Sequence, residues 1–454
     1  MKKIIITTAV CVAAGAVVLP AQNTQSGYFL DSYTYAYQMN PALGNDKNFV
    51  AMPALGNLDV ALRGNLHLTD ILYNVDGKTT TFLNPGVSVS EVMGNLSDVN
   101  KIGSDIRINL LGAGFKAWGG YNTVSIGARV NVGARLPKSV FSLLKEGISN
   151  RTYDITDLDV DASAYAEIAL GHSRDIDDRW RVGGALKVLV GGASLSARMK
   201  QADLTLGTDS WTITSDAEIR SNIKGLRYKT KYDDNTGRTY VDGLDGSFDG
   251  LNGFGLGFDL GAQFRLNSDW CFSAAVLDLG FISWSDTQLA TTDGPQTFDT
   301  DKYVFNPDDD APNSFKNEWE RMRDDLGALY ELADKGSTGS RTQALNATIN
   351  LGAEYTLPVY RNLKFGLLNT TRIAGRYTWT DFRLSANVAP CKVFSAGVNL
   401  AAGTYGVGFG WIASVHTTGF NMFVGMDHTM GKLAKQGVPL SSNASVNFGI
   451  NFPF

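Results

Sequence analysis

The sequence predicts an all-β fold, a closed antiparallel transmembrane β-barrel of about fourteen strands. Three observations predict it: apolar and polar residues alternate in segments of about ten residues, the chain starts with an export-type leader, and short connections alternate with long ones. Its 454 residues would suffice for two or three soluble domains, but a large barrel uses such a length as one domain. A net charge of −5 argues against a nucleic-acid binder, which normally carries a basic patch.

The leader, residues 1–21, is predicted to be a secretory signal peptide. Lys2 and Lys3 form its charged start, residues 4–19 are apolar, and Pro20-Ala21 precedes the expected new N-terminus. A membrane anchor is the alternative, but the apolar stretch is short and ends in small residues. The remaining chain has no apolar run of about 18 residues, so no spanning helix is expected.

Residues 444–454 show the alternation most clearly, because every second residue from Ala444 to Phe454 is apolar and the residues between them are small or polar. Side chains alternate between the two faces of a strand, so one face is apolar and the other polar. Lipid outside and a polar lumen inside require this pattern. A soluble sandwich would instead carry many charges on its outer face. Backbone groups in lipid must be paired, so the sheet must close.

Fourteen segments are predicted as strands: 57–67, 104–116, 122–134, 160–173, 180–191, 253–266, 270–283, 345–357, 362–370, 378–388, 392–402, 405–415, 419–428 and 444–454. The even-numbered joins are short, and the odd-numbered joins are long except for 371–377 and 403–404. Bacterial barrels have an even strand number and place short turns in the periplasm and long loops outside. Twelve or sixteen strands remain as alternatives because the first strand is the least regular.

The long extracellular loops are predicted to contain a short helix at 314–336, with Ser314 as its cap and Gly336 at its end. This helix could pack on the barrel rim, or it could act as a gate or bind a partner. A second short helix is predicted at 137–147.

No enzymatic constellation is present, so no enzyme activity, catalytic residue, metal site or cofactor is predicted. The four histidines have no metal-ligand spacing, and no Gly-x-Ser-x-Gly motif has a suitable setting. The Gly-x-Gly series at 255–261 is interpreted as small residues that face the lumen. Charged residues on strands are expected to face inward, as ion pairs or along a substrate path: Glu167, Lys187, Asp259, Arg265 and Arg383.

The N-terminal region adds a family resemblance. Residues 37–44 read Tyr-Gln-Met-Asn-Pro-Ala-Leu-Gly, residues 51–58 read Ala-Met-Pro-Ala-Leu-Gly-Asn-Leu, and residues 82–86 read Phe-Leu-Asn-Pro-Gly. The first element resembles the start of the FadL-type long-chain fatty-acid channels and of the PorV-like barrels of Bacteroidetes. The other two resemble more closely an uncharacterised Bacteroidetes outer-membrane family of FadL-like shape.

The resemblance implies a periplasmic or lumenal plug at 22–56 ahead of a barrel at 57–454. Its candidate plug residues are Tyr33, Tyr35, Tyr37, Asn40 and Pro41. Five aromatic residues within ten positions are unusual for a disordered tail, the alternative reading of this segment. A terminal aromatic on an alternating strand also resembles the signal read by the barrel-assembly machinery, here carried by Phe448, Phe452 and Phe454.

The expected location is the outer membrane, where the partners are its lipid and the barrel-assembly machinery. The first functional hypothesis is a plugged channel for uptake of a hydrophobic or amphipathic small molecule. The second is a non-transporting scaffold or docking subunit of a secretion or surface complex, with a protein partner. A general porin is weaker because wide aqueous channels use sixteen to eighteen strands. The fatty-acid function itself does not transfer with the fold.

Overall fold

The computed structural model describes residues 24–147, 150–207, 210–233, 237–304, 311–428 and 443–454. The predicted signal peptide lies outside the described residues. Fourteen antiparallel strands form the barrel, which confirms the predicted fold class. They are β1 Asn57–Gly64, β2 Val99–Ala117, β3 Gly120–Pro137, β4 Asp159–Asp175, β5 Trp180–Leu206, β6 Gly253–Arg265, β7 Trp270–Trp284, β8 Ala347–Thr356, β9 Leu363–Ile373, β10 Trp379–Cys391, β11 Phe394–Gly403, β12 Gly406–His416, β13 Asn421–Met426 and β14 Ala444–Pro453.

The ring closes between the last strand and the first. Each strand pairs with the next in sequence, and β14 pairs back onto β1, with Leu58 opposite Phe448 and Leu62 opposite Ala444. Closure leaves no free sheet edge within the wall, as a strand structure in lipid requires. Each predicted strand corresponds to one observed strand.

The two faces of the wall are the reverse of those in a soluble protein. On β14, Asn447 and Asn451 are fully buried inside, whereas Phe452 is 42% exposed on the outside. Leu260 and Leu384 are likewise more than half exposed on the outer face of their strands. Polar residues inside and large apolar residues outside match a wall that faces lipid. The architecture is therefore that of a closed β-barrel whose outer face suits a membrane.

Short turns join the strands at one barrel end, here called periplasmic, and long loops join them at the other, here called extracellular. At the β2–β3 turn, Trp118 and Gly119 have φ angles of 54° and 71°, as a two-residue hairpin that matches strand twist requires. Trp180 and Phe264 pack near the same end, with ring centroids 4.7 Å apart. No helix within the described ranges is long and apolar enough to cross a membrane.

In the part of the chain that the structure describes, the extracellular connections contain four α-helices: α1 Leu68–Ile71, α2 Val89–Asn95, α3 Lys138–Glu146 and α4 Phe315–Ala328. They also contain the short strands Leu72–Val75, Lys78–Thr81, Arg151–Asp154, Trp211–Ile223, Leu226–Asp233, Arg238–Gly246, Gln288–Thr291, Gln296–Asp299, Ala333–Ser337 and Arg341–Ala344. Single 3₁₀ turns lie at Gln25–Gly27, Ala36–Gln38, Thr300–Lys302 and Gly375–Tyr377. Helices α2 and α3 share an apolar cluster in which Val92 and Phe141 are buried.

Helix α4 is shorter than the predicted helix at 314–336. It ends at Ala328, and Ala333–Ser337 instead forms a strand that pairs with Gln288–Thr291. The reason is that the main-chain groups of this stretch bond a distant strand, a contact that helical periodicity alone does not reveal. The second predicted helix, at 137–147, is α3.

The sheet begins before the predicted boundary at residue 57. Phe49–Ala51 already pairs with both β14 and β2, so this part of the predicted plug region belongs to the wall. Residues 52–56 then interrupt the strand before β1 starts. Pro53 has no N–H to donate, and Ala54 has a φ of 60°, a left-handed conformation that a regular strand does not contain. We call residues 52–56 the strand interruption.

Candidate functional site

Residues 24–47, the N-terminal segment, lie inside the barrel. Ser26 bonds Asp427 beyond β13, Tyr28 bonds Ser273 on β7, and Asn350 on β8 donates to the carbonyl of Met39. Contacts with strands this far apart in the ring are geometrically accessible only from the lumen. The sequence of the segment does not alternate, and it folds as 3₁₀ turns rather than as a strand.

Three predicted plug residues form an aromatic cluster with the wall. Tyr33 meets the Phe423 ring edge-on with centroids 4.9 Å apart, and Tyr35 meets Phe49 at 5.8 Å. Tyr37 lies 6.1 Å from Tyr35 between ring centroids. Tyr33 and Tyr35 are almost fully buried. We call these five residues the aromatic cluster; such ring pairs contribute about 0.5–1.5 kcal/mol each beyond the area they bury.

The other two predicted plug residues, Asn40 and Pro41, contact the wall at β5 and β6. Asn40 is fully buried; its Oδ1 accepts from the Ala42 N–H at 3.0 Å, and its Nδ2 donates to the Tyr28 hydroxyl at 3.2 Å. A Cβ at Gly183 or at Gly261 would clash with this Asn-Pro element. Glycine at these wall positions therefore permits the close approach of the segment's backbone.

The start of the segment is anchored by a carboxylate that the sequence analysis missed. Asp427 is fully buried and accepts from the Gln25 N–H at 2.9 Å, the Ser26 N–H at 2.8 Å and the Ser26 hydroxyl at 2.6 Å. Arg383 donates to the side chain of Gln25 at 3.0 Å and to the main-chain carbonyl of Asp427. Strand parity was the available signal, because Asp427 continues the inward series of Asn421 and Phe423.

Paired charges occupy the middle of the lumen. Lys187 lies 2.6 Å from Asp259 and 2.6 Å from Asp278, and Arg129 lies 2.9 Å from Asp278 and 2.7 Å from Glu167. All five side chains are largely buried, which confirms the inward direction predicted for three of them. Arg107, whose guanidinium lies 4.0 Å from Asp278, brings the group to three cations and three carboxylates, so the positive and negative charges are equal in number.

Arg265, also predicted to face inward, does not join this group. Its side chain is about half exposed at the periplasmic end, where it lies 3.9 Å from Asp175. Arg265 has the same strand parity as inward-facing Asp259, but it lies at the end of β6, where the wall meets solvent, so it takes no part in the mid-lumen charges. Arg383, by contrast, is buried inside as predicted.

Two arginines near the extracellular end reach across the lumen. Arg372 on β9 donates to Asp105 on β2 at 2.9 Å, and Arg376 donates to Asp159 on β4 at 2.8 Å. Strands β9 and β2 are seven positions apart in the ring of fourteen, so they face each other across the full width. The connection 374–378 is thereby drawn over the mouth. We call these two ion pairs the cross-lumen bridge.

Two cavities adjoin the N-terminal segment. One of about 50 Å³ lies between Tyr37 and the charged side chains of Arg107, Arg129 and Glu167, with room for a few water molecules. The other, of about 300 Å³, opens at the periplasmic end and is lined mainly by polar residues such as Asn45. The aromatic cluster between them is packed.

The strand interruption lies directly outside the aromatic cluster. A Cβ at Gly56 would stand 3.0 Å from the Tyr35 hydroxyl oxygen, so the ring reaches the wall at this point. On the outer face, Val50 and Leu55 are 48% and 39% exposed. Apolar side chains thus flank the interruption on both its lumenal and its lipid-facing side.

The predicted assembly residues lie on or next to β14. Phe452 contacts Phe420 on the outside, with ring centroids 6.3 Å apart, and Phe454 is largely exposed. Phe448 is partly exposed on the same outward face. Their role as an assembly signal stays a prediction. Throughout the described residues, no group of three potential metal ligands comes together.

Residues 41–427 match the model of a family described as "Family of unknown function (DUF5723)". The chain belongs to this family. The matched range runs from Pro41 to Asp427, so it covers thirteen of the fourteen barrel strands, while residues 24–40 and β14 lie outside it. No curated protein sequence matches the chain.

Among solved structures, the chain is similar to the toluene transporter TodX of Pseudomonas putida, with 9% identity, a TM-score of 0.40, and coverage of 95% of this chain and 96% of that chain. It is also similar to a FadL homologue of Pseudomonas aeruginosa, with 10% identity, a TM-score of 0.39, and coverage of 96% and 97%.

Proposed function

We propose that this outer-membrane barrel is a plugged channel for uptake of a hydrophobic or amphipathic small molecule, with residues 24–47 as its plug. The observation that carries the proposal is the position of the aromatic cluster directly behind the strand interruption. There, apolar side chains continue from the lipid-facing surface through a break in regular strand geometry to the lumen.

A hydrophobic molecule has a physical reason to use this route. The charges of Arg129, Lys187 and Asp278 lie in the middle of the lumen. Passage of an apolar molecule along the axis of the barrel is unfavourable, because it would separate these charges from their ion-pair partners and from water. The path past Tyr35 and Leu55 presents apolar surface instead. The rings are packed in this structure, so passage requires the plug to move.

The second hypothesis, a non-transporting scaffold, is favoured by one specific observation. The cross-lumen bridge ties opposite walls together through Arg372 and Arg376, which a permanently closed barrel would keep and a channel must open. In that case the extracellular strands, such as Trp211–Ile223, would be the docking surface for a protein partner.

Uptake of a fluorescently labelled fatty acid by cells that produce the protein, compared with cells that carry the empty vector, tests the proposal. We expect uptake that saturates and that rises when Tyr35 is replaced by Ala, because loss of the ring weakens the packing that holds the plug in place. Leu144→Ala, on the exposed face of α3, is the matched control and should leave uptake unchanged.

Native mass spectrometry of the gently extracted protein separates the two hypotheses. A co-purifying lipid or fatty acid supports the plugged channel. Absence of uptake together with a stoichiometric protein partner would overturn it in favour of the scaffold.

A further inference from the structure

The tyrosines of the N-terminal segment differ in how their hydroxyls are paired. The Tyr28 hydroxyl lies 2.9 Å from Ser273 Oγ and accepts from Asn40 Nδ2 at 3.2 Å. The hydroxyls of Tyr33 and Tyr35 are buried and have no hydrogen-bond partner anywhere in the described part of the chain. All three rings belong to the same buried apolar core, so burial alone does not explain the difference.

The hydroxyl of Tyr37 is also without a partner among the described residues, and a further unpaired group lies on the wall near Tyr35. Neither amide atom of Asn109 on β2 has a partner among the residues described, and a Cβ at Gly112 would touch both this amide and Ala51. Ala51 in turn lies against Gly56, where the Tyr35 hydroxyl reaches the wall. Other buried atoms without a partner, such as Oδ1 of Asn222, lie elsewhere in the described chain, but the Tyr35 hydroxyl and the Asn109 amide both lie beside the strand interruption.

Unpaired buried groups oppose the seated position of the segment. When the segment is out of the lumen, the hydroxyls of Tyr33 and Tyr35 bond water; when it is seated, they lose those bonds and gain none. Ring packing and the Asp427 anchor hold the segment in place against this loss. A wall built for permanent closure would pair these hydroxyls, as it pairs that of Tyr28.

We propose that the position of the N-terminal segment inside the lumen is metastable. The unpaired hydroxyls of Tyr33 and Tyr35 destabilise this position and so favour release of the segment. The proposal rests on the proposed function in that the segment acts as a plug. It also narrows the substrate class to amphipathic molecules. An apolar tail can replace the ring contacts of the cluster, while one polar end can bond Asn109 or a freed tyrosine hydroxyl.

Hydrogen exchange of the segment's amides, measured by mass spectrometry on the full chain in lipid nanodiscs, tests the inference. Tyr33 N–H bonds the Leu30 carbonyl at 2.8 Å and Met39 N–H bonds the Ala36 carbonyl at 2.9 Å, so both report release of the segment. We expect Tyr33→Phe and Tyr35→Phe each to slow this exchange by about tenfold, because each removes a hydroxyl that seating leaves unpaired.

Tyr28→Phe is the matched control, since it removes a paired hydroxyl from the same segment. It should speed exchange by about tenfold, because Ser273 and Asn40 lose their partner. Folding of every variant is checked by the gel-mobility shift of the folded barrel. Should Tyr33→Phe or Tyr35→Phe fail to fold, Asn109→Leu is the second test. It removes the unpaired amide from the wall and should also slow exchange of the segment.

The outcomes separate this inference from the proposed function. Unchanged or faster exchange in Tyr33→Phe and Tyr35→Phe would overturn the metastable seat, whatever the uptake assay shows. Slower exchange accompanied by slower fatty-acid uptake supports both. Slower exchange in a protein that takes up no fatty acid supports the metastable position of the segment and contradicts the proposed channel function.

Discussion

The two ends of the lumen are closed by different physical means. Towards the periplasm, closure is made by a chain segment that packs aromatic rings against the wall and hydrogen-bonds to it, including to the buried carboxylate of Asp427. Towards the extracellular side, it is made by Arg372 and Arg376, whose ion pairs join opposite strands of the wall itself. The first closure can leave the lumen, since residues 24–47 form no strand of the barrel. The second closure is part of the wall, so it can open only by separation of its ion pairs.

This difference shows which conditions each closure responds to. Ring packing is insensitive to salt, whereas ion pairs with a solvent-exposed partner weaken as ionic strength rises. The side chain of Arg376 is about half exposed, while the rings of Tyr33 and Tyr35 are not in contact with water. The two closures should therefore open independently, and changes at one should not move the other.

The largest effect is expected from Asp427→Ala. This variant removes three acceptor contacts from the start of the segment and leaves buried Arg383 short of a counter-charge. The free energy that favours the segment's position inside the lumen should fall by about 3–5 kcal/mol. Hydrogen exchange at Tyr33 and Met39 should accelerate strongly. A segment that stays protected would show that the aromatic cluster alone holds it.

The next largest effect is expected at the opposite closure, from Asp159→Asn. Asp159 is buried and accepts from both Arg135 and Arg376, so loss of its charge weakens two contacts by about 1–3 kcal/mol together. The conductance of single barrels in a planar bilayer should rise, while exchange of the N-terminal segment stays as in the unchanged protein. Faster exchange of the segment would mean that the closures are coupled.

A smaller effect is expected from salt. Raising ionic strength from 0.1 to 1 M shortens the Debye length from about 10 Å to about 3 Å. The Arg376–Asp159 pair should then weaken by up to about 1 kcal/mol, and Arg376→Gln should remove the salt response. Conductance across a salt series, normalised for the bulk conductivity, checks both points.

The smallest effect concerns pH and an extracellular strand. Hydrogen bonds from Arg220 and Lys200 lower the pKa of Glu218 from 4.5 to about 2. Because the folded pKa is depressed, the stabilisation is present above pH 4.5 and is lost as pH falls towards 2. Fluorescence of Trp211 on the same strand should change within that window. Glu218→Gln should abolish the transition, and an unaltered transition in this variant would assign it to another group.

Much of the wall could be predicted from the sequence, because period-two alternation is a local property of each strand. The contacts that hold the N-terminal segment in the lumen could not be predicted, since Ser26 and Asp427 are 401 residues apart in sequence and no local pattern links them. The same holds for the end of α4, where Ala333–Ser337 pairs with a strand of another part of the loop. The Asn40-Pro41 element was found through resemblance, and its glycine partners Gly183 and Gly261 through the structure alone.

A reversible tether of the plug tests the central claim most directly. The hydroxyls of Ser32 in the segment and Ser395 on β11 touch, so cysteines at both positions lie within disulfide reach. The tether is built with Cys271 and Cys391 replaced by serine, so that no other thiol interferes.

Fatty-acid uptake is then measured with this double variant oxidised and reduced, beside a variant that carries only Ser32→Cys. Uptake should fall to background when the tether is oxidised and recover on reduction, and the single-cysteine variant should respond to neither treatment. Equal uptake by the tethered and the released protein would contradict a channel that opens by movement of its N-terminal segment.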